Sequence, residues 1–247
     1  MPAPNAITPH DLLPLIGRPD CPALIDVTLD EDFAADPYLV PSAFRHAHTD
    51  LKSLLPRLGA QPAILICQKG RKLSQGAAAW LRTEGCPARY LDGGNMAWAA
   101  FDGAARLPAS EIPDGQGGAS LWVTGLDPDL RDIACLWLIR RFVDRHARIL
   151  FVTRSEVEAV AERFRGTPLG GEETVAFDRI RARVSLETPP LDRISRSLHE
   201  VRDPLAPGFK ALYAGLTRQF PDDDARLDPA LALFDALYCW AQTEAAP

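Results

Sequence analysis

The chain has 247 residues, with 33 acidic against 27 basic side chains, so its net charge is −6, without the basic excess of a nucleic-acid binder. Hydrophobic residues at 47% and charged residues at 24% give a soluble globular composition, with enough length for two ordinary domains. Five scattered cysteines, Cys21, Cys67, Cys86, Cys135 and Cys239, contain no Cys-x-x-Cys pair, which argues against a disulfide framework or a zinc knuckle. The start, Met1-Pro2-Ala3-Pro4-Asn5, shows no basic and apolar leader, and no run approaches the roughly 18 apolar residues of a membrane span. A reducing cytoplasm is the expected compartment.

In chain order, Thr8-Pro9 predicts a helix start with Leu12, Leu13 and Ile16 buried. Ala23 to Val27 predicts a strand, and Asp26 near its end either orients a neighbouring loop or merely closes the strand. Glu31 to His48, with Pro37 and Pro41, reads as loop; His46 and His48 are spaced like a metal pair but lack further ligands, and read as solvated. Thr49 to Leu58 is expected as a short helix broken near Pro56.

The apolar run Ala63-Ile64-Leu65-Ile66 predicts a buried parallel strand that delivers Cys67 to its end. The loop Gln68-Lys69-Gly70-Arg71-Lys72 follows, then Ser74 and a helix over Gln75 to Arg82 closed by Gly85. Loop N–H groups, the helix N-terminus and three cations all favour a thiolate, which makes Cys67 the candidate nucleophile. The bland reading is a buried cysteine beside a solvated basic turn. Phosphate-ester cleavage on such a loop needs an Arg six positions after the cysteine, and Leu73 stands there. A strand over Ala88 to Leu91, a Gly93-Gly94 turn and a helix carrying Trp98 complete an alternating pattern, which predicts a parallel sheet flanked by helices. Ligands of such sheets sit beyond the strands' carboxyl ends, where Cys67 falls.

Three stretches, Leu24-Ile25-Asp26-Val27, the Cys67 loop and Tyr90-Leu91-Asp92-Gly93-Gly94-Asn95-Met96-Ala97-Trp98, make residues 8 to 105 resemble the rhodanese family of sulfurtransferases. The resemblance implies a persulfide carried on Cys67, a small sulfur donor (thiosulfate or a persulfide), a thiol acceptor, and no cofactor or metal. It implies substrate contacts from Gln68, Lys69, Gly70, Arg71, Lys72 and Asp26. The sequence departs from the family at Thr28, where an Arg is usual, and at Leu39-Val40-Pro41-Ser42-Ala43, which replaces a Gly-His-Ile-Pro-Gly-Ala segment.

Asp102 to Ser120 is rich in Pro and Gly without periodicity. The expected division is a first domain over 1–105, a linker over 106–120 and a mainly helical α+β domain over 121–247. Strands are expected at Leu121 to Thr124, Ile149 to Val152 and Thr174 to Phe177. Ile133, Ala134, Trp137, Leu138 and Phe142 recur at helical spacing, and Ser155-x-x-Glu158 reads as a capping box. Further helices are expected near Leu191 to Val201, Phe209 to Phe220 and Pro229 to Ala241.

The string Ile133-Ala134-Cys135-Leu136-Trp137-Leu138-Ile139-Arg140-Arg141-Phe142-Val143-Asp144, with Pro221-Asp222-Asp223 and Phe234 to Trp240, resembles the C-terminal domain of the chromate-resistance regulator family. Here Arg131-Asp132 inverts the family's Asp-Arg, and Arg179 to Ser185 lacks the family's His and Cys. The two resemblances imply a sulfurtransferase acting in chromate, oxyanion or thiol stress; the alternative is an oxyanion-sensing or transcriptional regulatory protein. Arg131, Cys135, Trp137, Arg140 and Arg141 form the candidate anion site, with chromate as a possible ligand and Trp137 stacked under Arg141. The competing expectation pairs these arginines with Asp222, Asp223 or Asp235.

Overall fold

The computed structural model describes residues 4–113, 119–169, 176–199 and 203–244. The chain divides into two compact units, Met1–Glu111 and Ile112–Pro247.

The first unit runs β1 (Ala6–Ile7), α1 (Pro9–Leu12), β2 (Ala23–Asp26), α2 (Asp30–Ala35), β3 (Tyr38–Leu39), β4 (Phe44–Arg45), α3 (Leu55–Leu58), β5 (Ala63–Ile66), α4 (Lys72–Thr83), β6 (Ala88–Leu91), α5 (Gly94–Ala99) and β7 (Leu107–Pro108). Thr8 caps α1 through Asp11 N–H with Pro9 at the first turn, as its sequence dictates. Five strands form a parallel sheet in the order β1-β6-β5-β2-β4. Ala63 to Ile66 are all buried at its centre, which is why that run is uninterrupted by polar residues. One core joins Ile25, Val27 and Leu65 with Ala77, Ala78 and Leu81 from the inner face of α4.

Two local expectations fail here. The stretch from Glu31 to His48 is not plain loop, since α2, β3 and β4 fall within it. The expected linker from 106 begins as folded structure, because β7 pairs antiparallel with β3 and Ala109 to Glu111 form a 3-10 turn. Two-residue strands are too short for any periodicity to register. His46 Nε2 lies 2.8 Å from Asp50 O, and no group of metal-ligating side chains occurs among the described residues.

The second unit runs β8 (Leu121–Gly125), α6 (Leu130–Leu138), β9 (Arg148–Val152), α7 (Val157–Phe164), β10 (Thr167–Pro168), α8 (Ala176–Arg183), α9 (Pro189–His199), α10 (Ala206–Gln219) and α11 (Asp223–Glu244). Its three strands make a parallel sheet ordered β10-β8-β9. Past Leu138 the helix widens into a π turn, Ile139–Val143. The capping box lies elsewhere than expected: Asp129 and Asp132 form one at α6, while Ser155 sits in a 3-10 turn before α7. Phe177 is helical rather than extended, and the remainder of that expected strand, Thr174 to Ala176, is described only from the start of α8 at Ala176. No described helix is long and apolar enough to cross a membrane.

Candidate active site

β5 places Cys67 at the carboxyl edge of the sheet, between β2 and β6. The Cys67 side chain is buried, with Sγ 3.1 Å from Ser74 Oγ in the first turn of α4. The Gly93-Gly94 turn holds the loop from beneath: Asn95 N–H donates to Cys67 O and Met96 N–H to Gln68 O, each at 3.0 Å. Gly70 and Gly94 both have positive φ, +62° and +60°. A Cβ on Gly70 would stand 2.6 Å from Gly93 N, and one on Gly94 would fall on Cys67 O and Gly70 N. Two backbones meet here without room for a methyl group, so glycine is required at both positions.

Lys69, Arg71 and Lys72 are exposed. None makes an ion pair among the described residues, and the first turn of α4 carries no acid. Among the described residues, the N–H groups of Lys69 to Leu73 have no protein acceptor. The arrangement is therefore an electropositive cradle closed by a helix N-terminus, with one thiol set into it.

The Asp26 carboxylate is bonded within the protein, to the turn beside the loop. It is 1% exposed; Oδ1 accepts Thr28 N–H at 2.8 Å and Oδ2 accepts Asn95 Nδ2 at 2.7 Å. Thr28 Oγ1 takes the same amide at 3.2 Å. Asp26 thus ties β2 to the turn that holds the loop. Asn95 is the member of this set that the sequence pattern does not single out, although it lies within the Tyr90 to Trp98 stretch.

Among the other cysteines, burial raises the Cys86 thiol, and burial with Asp132 and Asp129 nearby raises Cys135 far more. Cys21 is buried and Cys239 exposed. All five cysteines are free thiols.

In the second unit the structure separates the five residues expected to hold an anion. Arg141 grips Asp235 with two bonds, Nε to Oδ1 at 2.8 Å and Nη2 to Oδ2 at 2.9 Å. Trp137 does not serve as a platform for it; the buried indole N–H donates to the same Oδ1 at 2.9 Å, with the ring packed on Phe142, Phe234 and Tyr238. Arg140 turns to Ala147 O and Asp228, at 3.0 and 3.6 Å. Cys135 lines a separate cavity of about 210 Å³ with Trp122, Asp132 and Arg179, and Arg131 is exposed at the start of α6. The aspartate pairing wins because α11 presents Asp235 to both donors at once. Asp235→Ala should lower unfolding stability by roughly 2–3 kcal/mol, since two donors lose a partly buried charged acceptor. An unchanged denaturation midpoint would show that this pair does not hold α6 to α11.

Residues 122–241 match the family model described as ChrB, C-terminal domain. The chain is 34% identical over 129 residues to Protein ChrB of Cupriavidus metallidurans, covering 47% of this chain and 39% of that relative. It thus spans well under half the length of the curated relative it matches. Among solved structures it is similar to a thiosulfate sulfurtransferase from Pseudomonas aeruginosa, at 31% identity and TM-score 0.35 over 40% of this chain and 18% of that one. It is also similar to a rhodanese-related protein from Thermoplasma volcanium, at 17% identity and TM-score 0.35, over 42% of this chain and 97% of the other.

Proposed function

We propose that the first unit is a sulfurtransferase that carries sulfur as a persulfide on Cys67, and that the fused ChrB-type unit sets it to work in the response to chromate, other oxyanions or thiol stress. The observation that carries the reading is the placement of one buried cysteine 3.1 Å from Ser74 in the first turn of α4, directly before a loop whose N–H groups have no protein acceptor and whose cations are unpaired among the described residues. The Cys67 thiolate attacks the outer sulfur of thiosulfate; the new S–S bond forms as the old one breaks, and sulfite leaves with the electron pair. Loop N–H groups and the α4 terminus stabilise negative charge on the carried sulfur, and Ser74 Oγ is placed to donate to Cys67 Sγ. A second thiolate then takes the outer sulfur and restores Cys67.

The sensing alternative draws less support, because Arg140 and Arg141 are engaged by Asp228 and Asp235. Thiocyanate formation from thiosulfate and cyanide tests the reading, and a protein that forms none and takes no sulfur onto Cys67 contradicts it. Within that assay Lys72→Arg should lower the KM for thiosulfate severalfold at similar kcat, because a guanidinium fork grips a sulfonate where an ammonium is a point charge. An unchanged KM would place Lys72 outside the substrate contacts.

A further inference from the structure

The cavity of about 210 Å³ at Cys135 lies within the second unit, between α6, α8 and the β8–β10 strand pair. One water needs only roughly 10–15 Å³ of such space, so the cavity has room for a small organic molecule. Its inner walls are apolar. Trp122, Cys135 and Leu169 are buried there, and the Trp122 N–H already donates to Ser120 Oγ at 2.8 Å, so the indole has no donor to offer a ligand. Burial, with Asp132 and Asp129 nearby, keeps the Cys135 thiol neutral, so it contributes an apolar surface and no nucleophile. Asp132, also on the wall, is engaged by Asp129 N–H at 3.0 Å and by Arg154 Nη2 at 3.2 Å. Positive charge enters from α8. Arg179 and Arg183 line the same cavity one helical turn apart, and both reach solvent.

We propose that this cavity binds a small organic carboxylate with an apolar body, the carboxylate held by Arg179 and Arg183 and the body packed against Trp122, Cys135, Leu169 and Ile180. A guanidinium presents a planar pair of N–H donors, which matches the two oxygens of a carboxylate. A bare inorganic oxyanion is strongly hydrated and needs donors on all sides, and the walls formed by Trp122, Leu169 and Ile180 supply none. A neutral apolar molecule fits those walls and gains nothing from the two arginines. The site has no part in the sulfur chemistry of Cys67, so either reading can fail without the other.

Calorimetric titration of the full chain with benzoate and phenylacetate tests the proposal. The comparison ligands are benzamide, a neutral isostere; acetate, an anion without the body; and sulfate and molybdate, oxyanions that leave thiols unoxidised. Benzoate or phenylacetate should give saturable heat at millimolar concentration or below. Each comparison ligand should bind at least about tenfold more weakly. Arg179→Gln with Arg183→Gln should weaken benzoate binding by a similar factor. The corresponding pair of Lys substitutions keeps the charge but loses the planar fork, and should weaken it severalfold at an unchanged melting temperature. Ile180→Trp, which adds bulk to the cavity from a half-buried position and leaves both arginines in place, should abolish binding. Equal affinity for benzoate and benzamide, or tighter binding of sulfate or molybdate than of either aromatic acid, would overturn the proposal. So would the absence of saturable heat from both acids, or binding untouched by both the Lys pair and Ile180→Trp.

Discussion

Cys67→Ser should reduce thiocyanate formation by at least about a thousandfold, because a hydroxyl at this position is a far weaker nucleophile and cannot hold sulfane sulfur. Cys239→Ser, at an exposed site on α11, should leave the rate within about twofold of wild type, as surface substitutions do. The side chain of Cys67 contacts Ser74 Oγ in the interior, and serine is smaller, so the variant should fold with nearly wild-type stability. Loss of rate without loss of fold would place the chemistry on the sulfur atom. Retention of most of the rate by Cys67→Ser would remove it from the mechanism.

Gly94→Ala should be the most damaging single-methyl change in the first unit. The added Cβ falls on Cys67 O and the Gly70 backbone, atoms held by the sheet and by Asn95 N–H, so nothing flexible can yield. The residue also sits at φ +60°, where a side chain itself costs about 1–2 kcal/mol. Together these should cost roughly 4 kcal/mol or more of stability, the range reached when a substitution forces backbone apart. Sulfur transfer should fall with it, since the turn that displaces is the one that positions Cys67. Gly59→Ala is the control: φ is +54°, but nothing lies within 4 Å of its would-be Cβ, so only the conformational cost remains. Equal denaturation midpoints for the two variants would show that close approach at Gly94 does not constrain the loop.

Much of the site was legible because its logic is local. An apolar run ending in cysteine, a basic Gly-containing loop and a helix start are contiguous in the chain, and each follows from residue type alone. The positioning of that loop was not legible, because it depends on contacts across the sheet. Asp26 and Asn95 lie 69 positions apart, and although a loop-orienting place is open to Asp26 from its position, sequence does not name Thr28 and Asn95 as its partners. The same limit explains the second unit. Arg140 and Arg141 are open to both readings, anion site or ion pairs, until α11 brings Asp235 against Arg141 and Trp137. Short elements were lost for another reason: β3, β7 and β10 have two residues each, held by pairing with partners distant in sequence. At α6 the capping residues are aspartates, Asp129 and Asp132, which the hydroxyl-and-Glu pattern matched by Ser155 and Glu158 does not describe.

The central claim is that Cys67 carries sulfur, and the most direct test is the mass of the protein after incubation with thiosulfate and removal of the excess. The account predicts a gain of one sulfur atom, located by fragmentation on the peptide containing Cys67, released by a small thiol and absent from Cys67→Ser. No added sulfur, or sulfur distributed equally over Cys67, Cys86 and Cys239, would contradict it.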